Sequence, residues 1–250
     1  MQPGLTYSRF QTTRWPDLLD LASKDGPART RLLDELAARY WPPVYAHLRH
    51  RGLRPAHAAD MAQEFFTQVV LGRRLFERAC EHRGRLRNLI LTALANFRID
   101  QNRRSRPGDR LSTPAASEVR FEEATLGLID GPAASAATIF DRRWAIVVLE
   151  EAMARCRQHF LATGRHGHWR LFEQRVLDPA RSGNQPPAMG DLWQSAGFSN
   201  AAHAVAAVQV VKRRLSALLL EVIGETVDTP DIDDELAFIR RVLGVMPAET

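Results

Sequence analysis

Three groups of side chains in this sequence have types and spacings suited to chemistry. The first is Cys156, His159, His166 and His168, whose Cys-x-x-His start and His-x-His end offer one sulfur and three imidazoles, a donor set that suits zinc. Such pairs also fall by chance on arginine-rich helices, and the expectation is that no metal and no other cofactor is bound. The second group lies in "HAADMAQEFFTQVV", residues 57–70, which contains no lysine or arginine. On a helix His57, Asp60, Glu64 and Thr67 share one face, while Met61, Phe65, Phe66 and Val69 can turn to a core. A carboxylate face of this kind either pairs within the molecule or docks on a basic partner. The third group is cationic: between Arg73 and Arg110 eleven arginines stand against four acids, a local charge of +7 in a chain of net charge +5. Guanidinium groups gathered in this way neutralise phosphates, and the amides of Asn88 and Asn96 in the same window can read base edges.

Catalytic signatures are missing from this set. The sequence has no G-x-x-x-x-G-K-[ST] phosphate loop, no H-E-x-x-H and no G-x-S-x-G, so a binding protein is expected and not an enzyme. A hydrophobic fraction of 45% and a charged fraction of 25% are those of ordinary globular proteins, and no run of apolar residues is long enough for a membrane span. The opening "MQPGLTYSRFQTTRW" lacks the apolar centre of a signal peptide, and two cysteines, Cys80 and Cys156, do not make a disulfide framework. A cytoplasmic location is the expectation.

The elements that must position these groups read as helices. Leu32, Leu33, Leu36 and Tyr40, then Val44, Tyr45 and Leu48, recur at spacings of three and four. Met61, Phe65, Phe66, Val69 and Val70 form a second stripe; Leu86, Leu89, Ile90, Ala93, Leu94 and Phe97 form a third. Opposite the third stripe lie Asn88, Thr92, Asn96, Ile99 and Arg103. After Arg106 the chain becomes rich in proline, glycine and small polar residues and loses periodicity, as a tether does. Helical pattern returns near Phe140 and runs through Trp144, Val147, Val148, Ala152 and Cys156, then Trp169, Phe172 and Val176. A loop at 178–187 precedes a short helix, a turn at Ala196-Gly197-Phe198 and a long helix capped by Ser199 or Asn200. That order suits a helix-turn-helix as well as any pair of antiparallel helices. Seven acids and no base lie between Glu221 and Glu235, and "DTPDIDDELAFIRRVLG" reads as a capped terminal helix. This acidic tail could fold back on a basic face or bind a partner.

"YWPPVYAHLRHRGLRPAHAADMAQEFFTQVV" followed by "RGRLRNLILTALANFRIDQNRR" resembles region 2 of the sigma-70 family of RNA polymerase sigma factors, in the small extracytoplasmic-function type. The family's D-A-E-D-L-x-Q-E-x-F is matched here by His57-Ala58-Ala59-Asp60-Met61-Ala62-Gln63-Glu64-Phe65-Phe66. "FQTTRW" and the C-terminal helix-turn-helix, which looks like sigma region 4, extend the likeness over residues 10–223, most strongly over 36–104.

The resemblance implies an all-α chain of two small helical domains. They are a region 2-like bundle of three or four helices at 28–107, after an extension at 1–27, and a region 4-like domain at 139–225. A linker at 108–138 joins them, and an acidic tail occupies 226–250. It implies that Asp60, Gln63, Glu64, Phe65 and Phe66 dock on the β′ coiled coil of core RNA polymerase. It further implies that Arg83, Arg85, Arg87, Asn88, Asn96, Arg103 and Arg104 meet the promoter −10 element, and that Asn200, His203, Gln209, Lys212, Arg213 and Arg214 meet the −35 element. Two departures stand out. His57 and Ala59 replace family acids, which weakens electrostatic docking, and the recognition helix opens on apolar residues where the family places Lys or Arg. A phosphate on Thr67, one turn beyond Glu64, would return about −1.5 to −2 of charge to the depleted face. An anti-sigma protein or a Ser/Thr kinase is thus a candidate partner beside polymerase and promoter DNA. The alternative is a sigma-like protein that binds polymerase or a regulator without directing initiation.

Overall fold

A computed structural model describes residues 26–72, 75, 85–104, 135–226 and 231–244, and every regular element among them is helical. In chain order they are α1 (Pro27–His50), α2 (Pro55–Phe65) continued by a π-helical stretch over Phe66–Leu71, α3 (Leu86–Arg104), α4 (Ala136–Ala162) and α5 (His166–Phe172). A second π-helical stretch, Glu173–Leu177, leads to α6 (Asp178–Ser182), α7 (Met189–Leu192), α8 (Ala201–Gly224) and α9 (Ile232–Val242). The all-α class expected from the apolar spacing is the observed one.

The chain forms two compact units, one of the described residues up to Val147 together with those from Ile223 onward, the other of Val148–Val222. Sequence boundaries at 28–107 and 139–225, with a separate tail, are shifted by this division. The start of α4 and the whole of α9 join the first unit, because Ile139, Phe140, Trp144 and Ile239 are buried and the Trp144 and Phe238 rings lie 6.4 Å apart. Periodicity marks these positions as apolar without saying which core receives them.

In the first unit α1 runs through Pro42 and Pro43. Each proline removes a ladder donor and costs a helix interior about 3 kcal/mol. Burial on both sides of the break keeps the helix going, since Tyr40, Val44 and Leu48 are fully enclosed. Gly52, at φ 89°, turns the chain after α1, and Pro55 starts α2 at a position whose amide has no helical acceptor. The Phe65 ring meets Phe97 of α3 edge-on at 5.7 Å, and Trp41 stacks on Phe66 at 5.7 Å.

The second unit closes around Cys156, Phe160, Trp169, Leu171, Phe172, Ala204, Ala207, Val208, Val211 and Leu218. Its turn passes through Gly197 at φ 82°, a conformation that side chains with a Cβ resist. Asn200 provides the cap, its Oδ1 accepting the His203 amide at 2.8 Å. Gly167 is required for contact: a Cβ there would stand 2.2 Å from the Ala196 carbonyl oxygen.

Candidate nucleic-acid interface

The face of α2 divides cleanly. Asp60 and Gln63 are exposed, whereas Glu64 is half-buried and its Oε1 accepts hydrogen bonds from Gln68 Nε2 at 2.7 Å and Gln101 Nε2 at 2.5 Å. Glu64 therefore ties α2 to α3 besides contributing charge. Phe65 and Phe66 do not belong to a docking surface. They are 0% and 6% exposed, on the side of α2 that continues Ala58 and Ala62, and their rings fill the core. Thr67 is exposed, with its hydroxyl donating to the Gln63 carbonyl at 2.9 Å just where the π-helical stretch begins.

On α3 the buried residues are Leu86, Arg87, Ile90, Leu94 and Phe97, and Asn88, Thr92, Asn96, Ile99 and Arg103 are exposed, as the spacing predicts. Ile99, 51% exposed, is a large apolar side chain in the middle of that polar face. Arg83 and the side chain of Arg104 lie outside the described residues, as does most of the linker at 108–138.

Arg85 and Arg87 are placed differently from the expectation of free cations. Arg87 is buried; its Nε donates to Glu235 Oε1 at 2.7 Å and its Nη1 to Asp141 Oδ1 at 3.1 Å and to Asn88 Oδ1 at 3.2 Å. Its guanidinium carbon stands 3.6 Å from the centre of the Phe238 ring and 5.5 Å from that of Trp144. Arg85 Nε lies 2.9 Å from Glu235 Oε2, and its Nη2 lies 3.9 Å from Asp234. Burial pushes the Asp141 carboxyl up, an effect that the Arg87 charge opposes. A second enclosed ion pair of this unit joins Arg39 Nη2 to Glu225 Oε2 at 2.8 Å. The sequence leaves open that the acidic tail folds back on a basic face, but it does not single out Asp141, Glu235 or Phe238 as the partners of these arginines. The acidic run and the terminal helix were visible, but a contact across 148 residues leaves no periodic trace.

In the second unit His203, Gln209, Lys212 and Arg213 are exposed on α8, among exposed Ala201, Ala202, Val205 and Ala206. Asn200 spends its side-chain oxygen on the cap, and Arg214 is half-buried with Nη1 3.7 Å from Glu221. Cys156 lies in the core with Sγ 4.0 Å from the Val211 carbonyl oxygen, and burial pushes its thiol up to about 11 although Arg214 pulls the other way. The His168 ring stacks on Phe160 and tilts against Phe198. Among the described residues no three of His, Cys, Asp and Glu are grouped to hold a metal ion, and no helix is long and apolar enough to cross a membrane.

No protein-family model, no curated protein and no solved structure matches this chain.

Proposed function

We propose that this chain is a sigma-type transcription initiation factor that binds core RNA polymerase through the exposed face of α2 and promoter DNA through the exposed face of α3. The observation that carries the reading is the pairing of those two faces. Asn88, Thr92, Asn96, Ile99 and Arg103 are all exposed along one helix, while Asp60 and Gln63 are exposed on the helix that Glu64 and Gln101 bind to it. Amides and guanidinium groups on one face suit bases and phosphates, and carboxylate beside amide on the other suits a basic helix. In this proposal the polymerase holds the catalytic metal, and α8 contributes −35 contacts through His203, Gln209, Lys212 and Arg213.

Binding of the purified chain to core polymerase tests the reading. Asp60→Ala/Gln63→Ala is the appropriate variant, because both side chains are exposed and their loss leaves the Glu64 tie intact. A loss of affinity of about tenfold or more is expected from removing hot-spot contacts of this kind; unchanged binding would refute the docking face. Phosphorylation of Thr67 is proposed as the control of that face, with tighter binding expected of Thr67→Asp than of Thr67→Ala. A second reading, a sigma-like protein that binds polymerase or a regulator without directing initiation, is favoured by the apolar residues Val205 and Ala206 exposed at the start of α8. Open-complex formation on a promoter selected from genomic fragments separates the two.

A further inference from the structure

The first turn of α9 contains Asp233, Asp234 and Glu235 and its last turn Arg240 and Arg241, the polarity that a helix dipole favours. The start of α3 has the opposite character. Arg85 and Arg87 flank its first residue and its first turn holds no acid, so positive side chains crowd a positive helix end. These two starts meet. The Glu235 carboxylate, 0% exposed, reaches both guanidinium groups, its Oε1 accepting from Arg87 and its Oε2 shared by Arg85 and Arg87, and Phe238 covers the flat face of Arg87. A carboxylate gripped by two arginines at the start of a helix occupies the arrangement that a nucleic-acid phosphate would take.

We propose that α9 is an internal mask of the arginines at the start of α3: Glu235 and Asp234 stand in for backbone phosphates, and Arg85 and Arg87 engage single-stranded DNA once α9 has moved off. The inference rests on the nucleic-acid reading of α3 given above. In the masked state Asn88, Asn96 and Arg103 remain exposed, so the chain keeps a weak grip on DNA. Unmasking adds two phosphate contacts. Each contact to a single strand changes the slope of log affinity against log salt by about 0.7, so the unmasked chain has a slope steeper by about 1.4.

The test uses the full chain as wild type, Glu235→Lys and Asp233→Lys, with short randomised single-stranded DNA as the probe. Glu235→Lys sets a third cation against Arg85 and Arg87 and ejects α9; Asp233→Lys makes the same charge change at an exposed position of the same helix. Glu235→Lys is expected to bind about tenfold more tightly than wild type with the steeper salt slope, and Asp233→Lys to stay near wild type. Saturating DNA is expected to raise amide hydrogen exchange over Ile232–Val242 in the wild type. Equal binding by all three chains, with α9 still protected at saturation, overturns the mask and leaves the DNA reading standing. Folded wild type and folded Glu235→Lys that both fail to bind overturn the DNA reading and the mask with it. Should Glu235→Lys lose its helical circular dichroism, the wild-type exchange measurement decides alone: protection kept in the DNA complex refutes the mask, and protection lost supports it.

Discussion

His47 is 4% exposed, with Nδ1 2.9 Å from the Ala136 carbonyl oxygen, so the neutral ring donates that proton. Burial lowers its pKa from 6.5 to about 4; the bond to Ala136 opposes the shift, and Arg98, Arg51 and His50 add to it. The unfolded chain takes up a proton near pH 6.5, whereas the folded chain waits until about pH 4. Stability contributed by the neutral ring is therefore complete above pH 6.5 and is lost as pH falls toward 4, by about 3 kcal/mol in all. Asp141, whose carboxyl burial raises, acts in the opposite sense at acid pH, so the comparison must isolate His47. Urea unfolding of wild type and His47→Gln at neutral and acid pH does this: the variant should show a smaller loss of stability on acidification. A group of this kind was legible only as a histidine on a helix. Its burial depends on α4, which begins 89 residues further along the chain.

Whole helices were read more successfully than the contacts between them. The three apolar stripes of α1, α2 and α3 are buried largely as their spacing requires, and of the two candidate caps before α8 Asn200 is the one that accepts the His203 amide. Removing that acceptor with Asn200→Ala should lower stability by about 1 kcal/mol in a thermal or urea melt. The π-helical stretches had no sequence signal, because a register of five leaves the apolar residues close to where a register of four would put them. Nor was the demand for glycine at position 167 visible, since it comes from a carbonyl 29 residues away. Gly167→Ala should destabilise the second unit by about 1 to 3 kcal/mol, because the clash is with backbone and not with the end of a flexible side chain. A melt unchanged by Gly167→Ala would show that the turn at Ala196 yields freely.

At the scale of the whole molecule the sequence indicated two units and misplaced their edges. Composition cannot show that a chain leaves one unit, builds a second and returns to finish the first, as this chain does at Ile223. The return can be divided into two parts. Ile223, Glu225 and Thr226 are buried in the first unit, and Glu225 is paired with the buried Arg39, while α9 adds Glu235, Phe238 and Ile239 beyond them. A chain ended after Val222 loses the carboxylate that pairs with Arg39 together with the buried Ile223 and Thr226, and breaking a buried ion pair by removing one partner costs about 3 to 5 kcal/mol. A chain ended after Thr226 keeps the pair and exposes Arg85 and Arg87, which water and Asp141 can still serve. The expected result is cooperative unfolding for the chain ended after Thr226, at reduced stability, and loss of the first unit's transition for the chain ended after Val222. The closed core of Val148–Val222 should melt alike in both. If the longer truncation product also lost its transition, α9 would be a permanent wall of the first unit, and the arginines behind it would be structural.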